Sequence, residues 1–231
     1  TRETSEIGRL PRETIFVIDT SGSMEGTSID QAKAALLQGL ASLLPEDRFN
    51  VIEFNSTTRA LYEASAPADP AHLAAAQQFV GRLAAGGGTE MLPALTLALK
   101  DDGERPGEVR QVIFATDGIV SNEDELFAYI RAHLGRSRLF TVGIGAAPNS
   151  HFMQKAAEYG RGTFTAIARV EELKTKVDTL LGRIDAPVLA DVVVAWDDPT
   201  AEAWPRRIPD LYVGEPLVIV ADEPTGNLDP D

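Results

Sequence analysis

Two hydrophobic periods trade places at regular intervals along most of this chain. ETIFVIDT, residues 13–20, is a short apolar run rich in β-branched residues, which predicts a buried strand. After the turn SGSMEGTS, the apolar positions Ile29, Ala32, Leu36, Leu37, Leu40 and Leu43 recur at helical spacing until Pro45 stops them. RFNVIEF, 48–54, predicts a second strand, and TRALYEA, 58–64, pairs with it as an antiparallel hairpin edge. A helix is expected from near Asp69 to the triple glycine 86–88, and another from Leu92 to Lys100. Then come a strand in EVRQVIFATDG (108–118), a helix in NEDELFAYIRAHLG, a strand in RLFTVGIG (138–145) and a helix in NSHFMQKAAEYG. GTFTAI is a short last strand and VEELKTKVDTLLGRI, 170–184, a closing helix.

Strands alternating with helices imply a mostly parallel sheet covered on both faces. Right-handed crossovers make this a doubly wound α/β domain. After Asp185 the pattern changes. VLADVVVAWDD and PLVIVAD read as two strands of an antiparallel unit, separated by a proline-rich stretch with no helix. The expected organisation is therefore a linker over 1–13, the α/β domain over 14–185, and a partial β appendage, or the start of a following β domain, over 186–231. The polar beginning, TRETSEIGRLPRE, carries no signal-peptide pattern and reads as the interior of a longer protein.

Composition removes several function classes. A formal net charge of −14 over 231 residues argues against a nucleic-acid partner or an anionic membrane surface, and no apolar run is long enough to insert into a bilayer. The absence of cysteine excludes disulfides, zinc thiolates and cysteine nucleophiles. His72, His133 and His151 are scattered over helices without ligand spacing and read as surface or boundary residues.

In an open doubly wound sheet, ligands bind beyond the carboxyl ends of the strands. Three oxygen-bearing loops fall there: Asp19-Thr20-Ser21-Gly22-Ser23, the turn GGGTE with Thr89, and Thr116-Asp117-Gly118. Asp19, Ser21 and Ser23 alternate and can turn three oxygens one way, with Gly22 allowing the tight turn. With Thr89 and Asp117 they suit a hard divalent cation such as magnesium. Met24 and Met91 follow these loops and read as packing residues, and Glu25 and Glu90 as rim charges.

DTSGS, the threonine of GGGTE and the aspartate of ATDG, in this order on this α/β pattern, resemble the metal-ion-dependent adhesion site of von Willebrand factor type A domains. The likeness covers about residues 14–184 and is nearest to the bacterial and inter-α-trypsin-inhibitor heavy-chain branch, where FVIDTSGSM, RFNVIEFN, GGGTEM and ATDG occur similarly. It implies a Rossmann-like, six-stranded, mostly parallel sheet with one antiparallel edge strand. It also implies that Ser21 and Ser23 ligate the ion directly, that Asp19 and Asp117 act largely through bound waters, and that Thr89 joins when ligand is bound. The ion would be magnesium, with manganese or calcium as alternatives. Few carboxylates on the ion leave it electrophilic, so the implied partner is an acidic protein or matrix ligand that supplies a Glu or Asp oxygen.

That resemblance implies a non-enzymatic, adhesion-type binding module, extracellular or at the cell surface. The alternative is a cytoplasmic adaptor working with an AAA+ ATPase in metal insertion or complex assembly. Hydrolysis at the metal would need a base and a leaving-group donor that the motif lacks. The tail LVIVADEPTGNLDPD, 217–231, resembles the Walker B segment of a transport ATPase at Asp222 and Glu223. A phosphate loop is missing, however: none of the lysines at 33, 100, 155, 174 and 176 follows a glycine.

Overall fold

The computed structural model describes residues 9–100, 103, 105, 107–118, 120–145 and 148–185, and the backbone of 188–189 and 211–212. β1 (Arg12–Asp19) is buried along its whole length and lies between two parallel neighbours, β2 (Arg48–Phe54) and β5 (Val109–Thr116). Burial on both sides is why its sequence is continuously apolar rather than alternating. Its odd-numbered side chains, Ile15 and Val17, enter one core with Phe54, Leu95, Phe114 and Phe152. The even-numbered Phe16 and Ile18 enter the other, with Leu36, Leu40, Phe140 and Leu180. A one-residue slip in register would exchange the two sets.

Three helices cover each face. α1 (Thr27–Ala41), α2 (Pro70–Gly81) and α6 (Val170–Asp185) pack on the Phe16 side. The other face carries α3 (Met91–Leu99), α4 (Glu123–His133) and α5 (Ser150–Tyr159). Gly39 is needed for the α1 packing, because a Cβ there would come within 2.6 Å of the Phe16 ring. α2 opens with Pro70 after an Asp69 cap whose carboxylate accepts the His72 N–H at 2.9 Å.

The sheet order is β3-β2-β1-β5-β6-β7, with β6 (Arg138–Ile144) and β7 (Phe164–Ile167) parallel to β5. It has seven strands instead of the expected six. The antiparallel edge divides into β3 (Thr58–Ala60) and β4 (Ala66–Pro67), both paired with β2. Between them the Asn50 side chain replaces a strand. Its Oδ1 accepts the N–H of Tyr62 at 3.1 Å and its Nδ2 donates to the Tyr62 carbonyl at 2.9 Å. Leu61 N–H still reaches Val51 O at 2.8 Å, and from Tyr62 the backbone is held one side chain away from the ladder.

α2 ends at Gly81, short of the triple glycine where the spacing placed its end. Lys33 donates to the carbonyls of Gly81 and Leu83 at 3.1 and 3.0 Å, satisfying the helix end and freeing 82–90 to run as a loop. Beyond α6, β8 (Val188–Leu189) and β9 (Leu211–Tyr212) form an antiparallel pair. The expected strand PLVIVAD and the tail with Asp222 and Glu223 lie outside the described residues.

At the amino ends of the strands, charged side chains are buried in pairs. Glu13, 1% exposed, accepts from Arg110 Nε at 2.9 Å and from the Ser65 hydroxyl at 2.7 Å. Arg110 also holds the last carbonyls of α3 through Ala98 and Lys100 at 2.9 and 3.0 Å. Asp47, with its side chain fully buried, accepts from Arg9 Nη1 and from the N–H groups of Arg12 and Leu44, at 3.0, 3.0 and 2.8 Å. Arg12 in turn pairs with Asp185 at the end of α6. Arg9 and Arg12 stand in the stretch that the sequence assigns to a linker, yet they close this end of the domain.

Candidate metal centre

The crossovers leave β1 and β5 in opposite directions, so the carboxyl ends of these two strands border the crevice of a doubly wound sheet. Asp19 is the last residue of β1 and is fully buried. Its Oδ1 accepts the Ser21 N–H at 2.7 Å and its Oδ2 the Thr116 hydroxyl at 2.6 Å. Both donors are neutral. Burial holds the Asp19 carboxyl above the ordinary aspartate value; the bonds from Ser21 and Thr116 offset part of that, and the neighbouring charge of Asp117 adds to it.

After Asp19 the chain makes one 3-10 turn, Gly22–Met24, closed by Met24 N–H to Ser21 O at 3.0 Å and Glu25 N–H to Gly22 O at 3.2 Å. The turn brings the hydroxyls of Ser21 and Ser23 to 3.1 Å from one another, Ser21 buried and Ser23 exposed. Met24, fully buried in the Phe16 core, anchors the turn from below, and Met91 does the same in the opposite core. Both are packing residues, as their positions suggested.

The glycine loop is tied down by four hydrogen bonds in five residues. Gly86 N–H donates to Thr20 O, Gly22 N–H to Gly87 O, Gly88 N–H to the Ser56 hydroxyl and Glu90 N–H to Asn55 O, all between 2.7 and 3.0 Å. Gly87 has φ of +83°, and a Cβ there would meet Ser56 Oγ at 2.9 Å, so only glycine serves. Half-buried Thr89 is thus carried on a loop whose backbone touches the serine turn. From the other side Asp117, 8% exposed, follows β5, and its carbonyl accepts the Asn149 N–H at 2.8 Å. Asn149 caps α5 and donates to Glu123 at 2.7 Å, which fixes the starts of α4 and α5 beside Asp117.

All five expected residues lie on three loops at one edge of the sheet. Asp19, Ser21 and Ser23 are joined by direct hydrogen bonds, Thr89 by its loop, and Asp117 by its charge on Asp19. The donor chemistry fits a hard divalent cation. It is all oxygen, and the 3.1 Å between the two hydroxyls matches the roughly 3.0 Å between adjacent octahedral positions when ligands sit about 2.1 Å from magnesium. Among the described residues no three His, Cys, Asp or Glu side chains cluster as a metal cage; the donors these loops bring together are mainly hydroxyls. His72 pairs with Asp69 and His133 stacks on Tyr129, both away from this edge.

Four residues that hold the site were not singled out in the sequence: Thr116, which orients Asp19, and Asn55, Ser56 and Asn149, which position the loops. Thr116 stood next to a named ligand, and the N-S-T turn after β2 is a loop signal; their partners are distant in sequence and left no spacing to read.

Comparison with known proteins agrees with this fold. The family model described as von Willebrand factor type A domain matches residues 12–166. The chain is 35% identical over 210 residues to the mouse von Willebrand factor A domain-containing protein 5B1, covering 89% of this chain and 17% of that protein. A von Willebrand factor A domain-containing protein of Dictyostelium discoideum is 32% identical over 220 residues, covering 92% of this chain and 23% of the relative. The chain therefore spans about a fifth of the length of these curated relatives. Among solved structures, the von Willebrand factor type A protein of Catenulispora acidiphila superposes with a TM-score of 0.68 at 27% identity, over 78% of this chain and 45% of that one. Proximal thread matrix protein 1 of the mussel byssus, solved with a zinc-occupied MIDAS motif, has the same fold at a TM-score of 0.60 and 15% identity, over 80% of this chain and 50% of its own. With more than half of its length matched by the family model, this chain belongs to the von Willebrand factor type A domain family.

Proposed function

We propose that this domain, which belongs to a family whose members are in general protein-interaction modules, binds its partner through a divalent cation, magnesium foremost, held by Ser21, Ser23 and Thr89 with Asp19 and Asp117 behind them. The observation that carries the reading is the pairing of the Ser21 and Ser23 hydroxyls at 3.1 Å over a carboxylate already fixed by Ser21 N–H and Thr116. The occupied motif of the mussel protein supports a divalent ion in this fold. When bound, the ion supplies a Lewis-acidic position for an anionic oxygen.

The protein's own part is positional. Neutral hydroxyls donate lone pairs without cancelling the cation's charge. Asp19 and Asp117 balance that charge from behind and orient water. The four-point tether of 86–90 keeps Thr89 within reach of the serine turn. A partner's Glu or Asp carboxylate completes the set. The same contact would serve an exported adhesion protein or an intracellular adaptor.

Manganese titration followed by nuclear magnetic resonance tests the placement. Paramagnetic broadening is expected first at 20–24, 87–90 and 116–118, and should vanish in Ser21→Ala. Broadening centred elsewhere, on the acidic helix starts for instance, would remove the reading.

A further inference from the structure

The edge of the domain that bears the proposed metal loops is strongly acidic, and most of its few bases are already engaged. Glu25 and Glu90 are exposed and flank the serine turn and Thr89. Asp124 and Glu125 are exposed in the first turn of α4, beside Asp117 and half-buried Glu123. Glu171 and Glu172 open α6, and Asp30 lies in the first turn of α1. Helix starts favour acids for the fold's own reasons, because the helix dipole is positive there. That accounts for α1, α4 and α6, and for Glu90 at the cap position of α3, but not for Glu25, which stands outside any helix.

The bases at this edge are mostly bound elsewhere. Arg59 pairs with Glu53 at 2.7 Å and covers the Phe79 ring, Lys33 is committed to the carbonyls ending α2, and Arg169 pairs with Glu172. Exposed Arg82, at the end of α2, and His151, in the first turn of α5, remain beside eight exposed or half-buried acids. A broadly acidic partner would bring its other carboxylates against this rim, where like charges oppose docking.

We infer that the carboxylate taken by this site is presented on a basic surface, as a Glu or Asp flanked by Lys or Arg, and not on an acidic protein. The inference rests on the metal-dependent reading above and narrows its partner. The flanking cations meet Glu25, Glu90, Asp124 and Glu125 while the central carboxylate goes to the ion. Attraction of this kind speeds association and rejects wrong partners more than it adds affinity, and it weakens with salt.

Four short synthetic peptides test it by fluorescence anisotropy with the whole chain, in magnesium and in chelator. Three carry one Glu flanked by lysines, by glycine and serine, or by aspartates; the fourth is the lysine peptide with Gln in place of Glu. In 50 mM NaCl with magnesium, the lysine-flanked Glu peptide is expected to bind about tenfold more tightly than the aspartate-flanked one, narrowing to about threefold or less in 500 mM. The combined variant Glu90→Gln, Asp124→Asn, Glu125→Gln should reduce that preference. Equal or tighter binding of the neutral or aspartate peptide overturns the inference, as does a protein that takes up magnesium in calorimetry yet binds none of the four. Failure of the underlying reading looks different: no magnesium uptake, or a Gln peptide that binds as well as the Glu peptide.

Discussion

The two ends of this sheet treat buried charge in opposite ways. At the amino ends of the strands, Glu13 and Asp47 meet guanidinium groups: Arg110 and Arg136 on the first, Arg9 and Arg12 on the second. At the carboxyl ends, Asp19 is as deeply buried but is held only by a backbone N–H and hydroxyls, with a second carboxylate nearby. The first arrangement closes the fold. The second sets carboxylates beside neutral hydroxyls with lone pairs to offer, which suits the cation site proposed above. One end answers its buried carboxylates with arginines, the other with neutral donors.

The largest effect is expected at the closed end. Asp47→Ala leaves two arginines without their buried partner and should cost about 3 kcal/mol or more in chemical unfolding, while any folded protein still takes up magnesium. Arg110→Ala strands Glu13 and uncaps the end of α3, with a loss of about 3 kcal/mol expected in the same measurement. Magnesium should stabilise the wild type by about 2.7 kcal/mol at a hundred times its dissociation constant, seen as a higher melting temperature, and should leave Ser21→Ala unmoved.

Acid titration sharpens the contrast. Burial alone would raise the Asp47 carboxyl, but the bonds from Arg9, Leu44 and Arg12 outweigh it and hold the group below the usual aspartate value. Its contribution is therefore present above about pH 4 and is lost as pH falls through the depressed value. Melting followed from pH 6 to 2 should show wild type losing its advantage over Asp47→Asn only below about pH 4. The smallest effect belongs to the rim: Glu90→Gln or Glu125→Gln should change stability by no more than about 0.5 kcal/mol in either direction, since neither side chain is buried.

The two ends also differed in how legible they were. The grouping at the carboxyl end could be read from five residues, because Asp19, Ser21 and Ser23 lie in one local turn and the sheet pattern placed Thr89 and Asp117 on neighbouring loops. The closed end could not. Glu13 meets Arg110 across 97 residues and Arg12 meets Asp185 across most of the chain, and arginines and acids at strand starts carry no spacing of their own. Residues 9–13 consequently read as a linker, although β1 starts at Arg12. The split edge strand escaped for a related reason: Asn50 substitutes a side-chain amide for backbone pairing, which no hydrophobic period records. The early end of α2 depends on Lys33 reaching over from α1, a contact invisible in the apolar spacing of 70–85.

The claim that the carboxyl end is built for a cation is tested most directly by titrating magnesium into metal-free protein in a calorimeter, with wild type and Ser21→Ala side by side. Saturable binding of one ion per chain is expected for wild type and none for the variant, with both showing the same folded circular-dichroism spectrum. Equal uptake by the two proteins would contradict the assignment and move the metal, if there is one, away from the serine turn.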